Sequence, residues 1–278
     1  MDSQHRSNGS NTRPALQAVP RAIGRSRVAG RVERVVNTAL DGERAAVLNA
    51  TATELLAEPS AVAGILQAAL TRPGVGVMGH RMLHDLFQRS GLHDELLNSL
   101  TSPNPVIRAS AARICGAARL TDATIWIGDL VADPNPRVRD AAVRALAQFG
   151  GGRAVEVLIA SADSIPLYRL AIALSRAAAD VDIEALMRQP ESERTAVATV
   201  LACGLRCDVL RVSPLLGIAH DRRWPTQVRK AACKALASIG DRAAADGLKR
   251  LALSDPDGQV KTAAERAHRR LVRRAVAR

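Results

Sequence analysis

The residues whose types and spacing most readily suggest chemistry lie in the stretch VGVMGHRMLHDLFQRSGLHDELLNSL, residues 75 to 100. His80 and His84 are one helical turn apart, and Asp85, His93 and Asp94 follow closely. Two imidazoles at i and i+4 can hold a metal ion, with a carboxylate as third ligand. The pair lacks the glutamate of a HExxH site. We therefore read these as surface histidines on a solvated helix face and assign no metal. Val77, Leu83, Leu86 and Phe87 form the apolar stripe opposite them. Cys203 and Cys207 are also i and i+4, but no CxxC and no neighbouring histidine accompanies them. With Cys115 and Cys233 they read as small core residues in a reducing compartment. The chain shows no paired catalytic carboxylates, nucleophile elbow, Walker loop or dinucleotide fingerprint. No catalytic residue and no cofactor is expected.

The second chemical signal is charge. The net charge is +12 over 278 residues, and it is concentrated at the ends. Residues 1 to 34 carry Arg6, Arg13, Arg21, Arg25, Arg27, Arg31 and Arg34 against Asp2 and Glu33. Residues 261 to 278 carry Lys261, Arg266, Arg269, Arg270, Arg273, Arg274 and Arg278 against Glu265 alone. The two ends contribute +5 and +6, so the middle is nearly neutral. Such ends suit an anionic partner: an acidic protein, nucleic acid or lipid headgroups. They also suit solubilising tails, and the near-exclusive use of Arg points partly to coding bias.

These groups are positioned by a recurring unit, clearest in Asp133 to Gly150, DPNPRVRDAAVRALAQFG. Asp133, Pro134, Asn135 and Pro136 make a turn that stops one helix and starts the next. Val138, Ala141, Ala142, Ala145, Leu146 and Phe149 then recur every three or four residues as one apolar stripe, and Gly150 supplies the stop. Pro103-Asn104-Pro105 with Val106, Ile107 and Arg108 repeats this 31 residues earlier. Val228 to Leu236, with Gly240, repeats it 90 residues later, and Asp255-Pro256-Asp257 opens a further copy. Weaker copies open at Pro166 and Pro190. A helix-bearing period of about thirty residues implies an array of stacked helix pairs.

The pattern Asp-Pro-x-Pro-x-Val-Arg-x-Ala-Ala-x-x-Ala-Leu resembles the short HEAT-like repeat of the phycobilisome-lyase type. The likeness is strong for the copies from Pro103, Pro134, Trp224 and Asp255, and spans roughly residues 97 to 270. It implies an all-α solenoid of antiparallel helix pairs whose second helices line a concave surface. It also implies that the arginine column Arg108, Arg139, Arg169, Arg229 and Lys261 is a structural ladder. Asp133, Asp221 and Asp255 are the candidate partners. A second column five residues on, Arg113, Arg144, Lys234 and Arg266, faces away from the alanines, but Leu174 interrupts it. With Arg137 and Lys230 it forms a candidate partner-binding strip or an ordinary solvated face. Arg269, Arg270, Arg273 and Arg274 form a candidate basic C-terminal patch. Some HEAT-like solenoids are DNA glycosylases that use an Asp with aromatics. Trp126 with Asp129, and Trp224 with Asp221, invite comparison, but aromatics are only 2% of the chain, too few to stack a damaged base. A bilin lyase is the other enzyme the family suggests, and nothing in the sequence points to pigment handling.

Residues 1 to 30 lack periodicity and read as a disordered basic tail. A transit peptide is disfavoured by Pro14, Pro20, Gly24 and Gly30. From 31 to 96 come degenerate capping helices. Val35, Val36 and Leu40 belong to the first, Ala46, Leu48, Leu55 and Leu56 to the second, and Val62, Ile65, Leu66 and Leu70 to the third. In the first full repeat pair, Thr121 or Asp122 is expected to cap a first helix, with Trp126 and Leu130 facing the stack. Residues 261 to 278 continue as a helix with Ala264, Leu271 and Val272 directed inward, and 271 to 278 form its basic end. No apolar run approaches the roughly 18 residues of a membrane span, and the N-terminus lacks the apolar segment of a secretion signal. The expected protein is a cytoplasmic, bacterial, non-enzymatic scaffold that binds a protein partner, acidic if the basic strip is what it uses. Nucleic-acid binding through the basic ends is the alternative. The sequence leaves the oligomeric state open.

Overall fold

The computed structural model describes residues 27–41, 48 and 50–276, with side chains described to residue 274. Among the described residues it contains sixteen α-helices, several short 3-10 turns and no strand. Four helices come first: α1 (Arg27–Leu40), α2 (Ala52–Ala57), α3 (Pro59–Leu70) and α4 (Gly76–Arg89). Six pairs follow, each a first helix and a second. These are α5 (Leu92–Leu100) with α6 (Pro105–Ala118), α7 (Thr124–Asp129) with α8 (Pro136–Phe149), and α9 (Gly152–Ala160) with α10 (Leu167–Ala177). Then come α11 (Asp180–Arg188) with α12 (Glu193–Arg206), α13 (Val212–His220) with α14 (Thr226–Ile239), and α15 (Ala245–Ser254) with α16 (Gly258–Val276). The second helices pack on one another in chain order from α3 through α16, so they form one layer. The chain is thus an all-α solenoid.

The second helices begin at residues 105, 136, 167, 193, 226 and 258, so the step shortens only between α10 and α12. This is where the sequence copies are weakest, and α10 is correspondingly short. The copies from Pro103 and Pro134 start as their turns dictate. The Asn104 side chain accepts the Val106 N–H at 2.9 Å, and the Asn135 side chain accepts the Arg137 N–H at 2.9 Å. Proline follows at the first helical position, where no N–H is needed. All six stripe residues of α8 are buried, and Gly150 closes it.

The core is built of Ala, Val, Leu and Ile running the length of the array. Small side chains let neighbouring second helices meet backbone to backbone. A Cβ on Gly116 would stand 2.7 Å from the Ala145 Cα, and one on Gly204 2.7 Å from the Ala235 Cα. These are corresponding positions in the α6–α8 and α12–α14 interfaces. α6 and α12 also end alike, on the non-glycine residues Arg119 and Cys207 at φ 53°. Each costs strain that glycine would avoid.

The N-terminal region departs from expectation in detail. α1 begins at Arg27, so the helical region starts ahead of residue 31 and includes Gly30. The rest of the proposed tail, and Ala46, lie outside the described residues. Leu48 is buried but outside any helix, and α2 starts only at Ala52, after a capping box between Thr51 and Glu54. Val77 is exposed and leaves the α4 stripe to Leu83, Leu86 and Phe87. At the other end α16 runs unbroken to Val276, in keeping with the helix expected there. Leu271 is buried there, while Val272 is largely exposed.

Two substitutions test this packing. Gly204→Val should destabilise the protein by about 1–3 kcal/mol, the range for forcing atoms into a filled interface, read as a lower urea midpoint. Cys207→Gly should raise stability by up to about 1 kcal/mol, since relief of the left-handed residue exceeds the entropy glycine adds to the unfolded chain.

Candidate functional site

The turn aspartates organise the array's polar interior. Asp133 is buried; its Oδ1 accepts the Asn135 N–H at 2.8 Å and so shapes its own turn. The same carboxylate receives Arg108 from the preceding repeat, Nε at 2.8 Å and Nη2 at 3.1 Å. Arg108 also donates Nη1 to the carbonyls of Ser102 and Pro103. Asp255 repeats this arrangement. It accepts the Asp257 N–H and pairs with Arg229, and both side chains are almost wholly buried. Arg229 donates Nε to the Ala219 carbonyl at 3.0 Å. Burial opposes ionisation of Asp133 and Asp255, but the bonds from Arg108 and Arg229 and from the turn N–H groups outweigh it. Both carboxyls are held below the ordinary aspartate value.

The other rungs differ from the expected ladder. Arg139 reaches the Asp133 and Pro134 carbonyls of its own turn and meets no carboxylate of the next, where Ser164 stands. Arg169 pairs with Asp140 of the preceding helix on a partly exposed surface. Asp221 is not a ladder partner: it accepts from Arg223 two residues on, and the place of its arginine on α12 is held by buried Ala196. Lys261 is half-buried, and no further turn aspartate follows it in the sequence. Two fastenings escaped the sequence pattern. Arg194 donates to the Ala162 and Ile165 carbonyls of the preceding repeat, and Arg206 donates to the Ala178 carbonyl and pairs with Asp180. An arginine two residues out of column is the available signal for Arg194.

The second arginine column lies on the outward face of the second helices. Lys230, Lys234, Arg266 and Arg270 line one depression of about 370 Å³ across α12, α14 and α16. Its remaining lining is mostly apolar, including Val197, Leu201, Ala231 and Ala263. The Lys234 ammonium stands 5.8 Å from the centroid of the exposed Tyr168 ring, a cation–π contact across the intervening helix. Arg144 lines a second depression of about 520 Å³ with Gln67, Asp140, Arg169 and Arg176. Arg137 is exposed and Arg113 half-buried, and Leu174, which interrupts the column, is fully buried. The C-terminal arginines divide. Arg270 joins the first depression, Arg269 pairs with Glu265, and Arg273 is exposed. Arg274 turns back to donate to the Ala237 and Ser238 carbonyls at the end of α14, so it fastens two helices.

The remaining candidates are placed as follows. Trp126 is 40% exposed on first helix α7 and does not face the stack, whereas Leu130 does. Trp224 is half-buried and packs on the core edge. Cys115, Cys203 and Cys233 are buried, and burial raises their thiol pKa values to about 12, about 11 and about 12. Cys207 is exposed, because its backbone ends α12 and turns its side chain out of the core. Neither Thr121 nor Asp122 caps a helix through its side chain. Asp122 instead meets His84 and His93, and His93 is buried rather than on a solvated face. Among the described residues no helix is long and apolar enough to cross a membrane.

The profile of HEAT repeats matches residues 93–177 and 181–269, most of the chain. The chain belongs to the HEAT-repeat family. Similar solved structures include human deoxyhypusine hydroxylase with glycerol, 17% identical, covering 88% of this chain and 97% of that one at a TM-score of 0.35. Two engineered proteins are 21% and 20% identical, covering 87% of this chain and 79% and 96% of theirs, at TM-scores of 0.35 and 0.31. These values establish no shared function. No curated protein matches the chain.

The buried HEAT rung gives two measurable consequences. Arg229→Met leaves Asp255 without its partner in the core and should cost about 3–5 kcal/mol in urea unfolding. Asp133 and Asp255 ionise more readily folded than unfolded. Their contribution is therefore complete above the unfolded-chain value of about 3.9 and is lost as pH falls through the folded values. Replacing both by Asn should flatten the acid limb of stability against pH.

Proposed function

We propose that this protein is a non-enzymatic scaffold that holds a protein partner on the second-helix face of its array. The observation that carries the reading is the depression across α12, α14 and α16, with Lys230, Lys234, Arg266 and Arg270 around the apolar Val197, Leu201, Ala231 and Ala263. Apolar area supplies affinity, and a basic rim selects an acidic segment and speeds its encounter. Stacked repeats present such a surface without a deep pocket. Arg108 and Arg229 are occupied inside the stack, which leaves the outward column to a partner. The aromatics do not converge on a carboxylate in this face, which weighs against base excision.

A second reading, sequence-nonspecific nucleic-acid binding, is favoured by the same four cations and by exposed Arg273. It predicts affinity that falls steeply with salt. Fluorescence anisotropy separates the two. The full chain and a variant carrying Lys230→Glu, Lys234→Glu, Arg266→Glu and Arg270→Glu would be titrated with a labelled glutamate-rich amphipathic peptide and with random duplex DNA. The scaffold reading expects peptide binding that survives near-physiological salt and weakens at least about tenfold in the variant, about 1.4 kcal/mol or more. Tight DNA binding at that salt, lost in the variant, would put nucleic acid first. Equal binding of the peptide by both chains would remove this face from consideration.

A further inference from the structure

His84, His93 and Asp122 come from three separate elements: α4, the first turn of α5, and the 3-10 turn before α7. They are 9 and 29 residues apart along the chain, so only the fold assembles them. His93 Nε2 lies 2.5 Å from Asp122 Oδ2, and His84 Nε2 lies 3.4 Å from the same oxygen. One ligand atom from each residue lies within 4.8 Å of the others. The two imidazole rings are tilted by 60°, with centroids 5.8 Å apart, so they do not stack face to face.

We propose that these three residues form a binding site for a divalent transition-metal ion of the zinc class. Two imidazoles and one carboxylate suit a borderline cation and disfavour hard ions such as Mg²⁺ and Ca²⁺, which take oxygen ligands. Ligand atoms around tetrahedral zinc stand about 3.3 Å apart, given bonds of about 2.0–2.1 Å. His84 and Asp122 already meet that spacing. His93 and Asp122 reach it by a small rotation of Asp122, whose side chain is 41% exposed.

The surroundings of His93 supply the second argument. Its ring is nearly buried, and each nitrogen faces a carboxylate: Nδ1 faces Asp94 Oδ1 at 3.0 Å, and Nε2 faces Asp122. With Nδ1–H donated to Asp94, the Nε2 lone pair points at Asp122. In that tautomer Nε2 is free to coordinate an ion shared with Asp122; in the other it donates Nε2–H to the carboxylate. The carboxylate–imidazole–metal relay is the usual support of a metal-bound histidine, and Asp94 provides it. Asp122 and His84 are both part-exposed, so the fourth position opens to solvent and the ion is exchangeable. The site joins the N-terminal helices to the first helices of the array, on other elements than the basic depression. A bound ion would clasp those segments together.

The test is isothermal titration of Zn²⁺ into chelator-treated, untagged full-length protein, with thermal melting alongside. One equivalent should bind at micromolar or tighter affinity and raise the melting temperature by several degrees. Asp122→Asn and His84→Asn should each abolish that binding while leaving the helical circular dichroism intact. Asp94→Asn should weaken it about 10–100-fold. Absence of stoichiometric uptake by the native protein would overturn the assignment. So would uptake unchanged in Asp122→Asn, which would put the ion on other residues. If Asp122→Asn merely lowers the metal-free melting temperature, with no zinc uptake in either protein, the cluster is a hydrogen-bonded staple and the proposal fails.

Discussion

The array depends on one carboxylate that serves two masters. In Asp133 and again in Asp255, one side chain closes its own turn through a backbone N–H and receives an arginine from the previous repeat. The first bond makes the turn that lets a second helix begin. The other fixes where that helix lies against its neighbour. A buried charge is tolerable only when fully met, so the turn and the stacking register are set together. Cooperation of this kind matters in a solenoid, where each repeat touches only its neighbours and no distant contact can correct an error.

The second constraint is size. With two tryptophans, one tyrosine and two phenylalanines, the chain cannot space its helices with large rings. It closes them instead, to the point where Gly116 and Gly204 rest on the Cα atoms of Ala145 and Ala235. Close helices leave little room for long side chains between them. The arginines are consequently sorted outward, into carbonyl and carboxylate cages at the turns or onto the face of the second helices. The basic face is in this sense a by-product of an alanine core.

Much of this was legible in the sequence, and the reasons for the failures are physical. The stripe of α8, its proline-bearing start and its glycine stop follow from local chemistry that needs no knowledge of neighbours. The pairing of Arg108 and Arg229 with acids about one repeat ahead was readable because the period is regular there. Asp221 failed because its arginine position is Ala196, and Asp221 closes on the nearby Arg223 instead. Cys207 reads as a core residue by its spacing from Cys203, but the helix ends on it, and spacing cannot show a left-handed backbone. The basic depression follows from the outward column, whereas its apolar floor of Val197 and Leu201 belongs to a weak copy and was not anticipated. Asp122 beside His93 was beyond reach, since residues so far apart meet only through the packing of three elements.

The rungs are unevenly distributed. Arg108 and Arg229 close theirs on buried aspartates near the two ends of the array, but between α8 and α10 the crossing ion pair is Arg169 with Asp140, partly open to water. Stacked units carry a load in series, so a pull along the axis is felt equally at every junction and yields at the weakest. A partner tugging on the ends would open the solenoid at its waist and leave two intact halves.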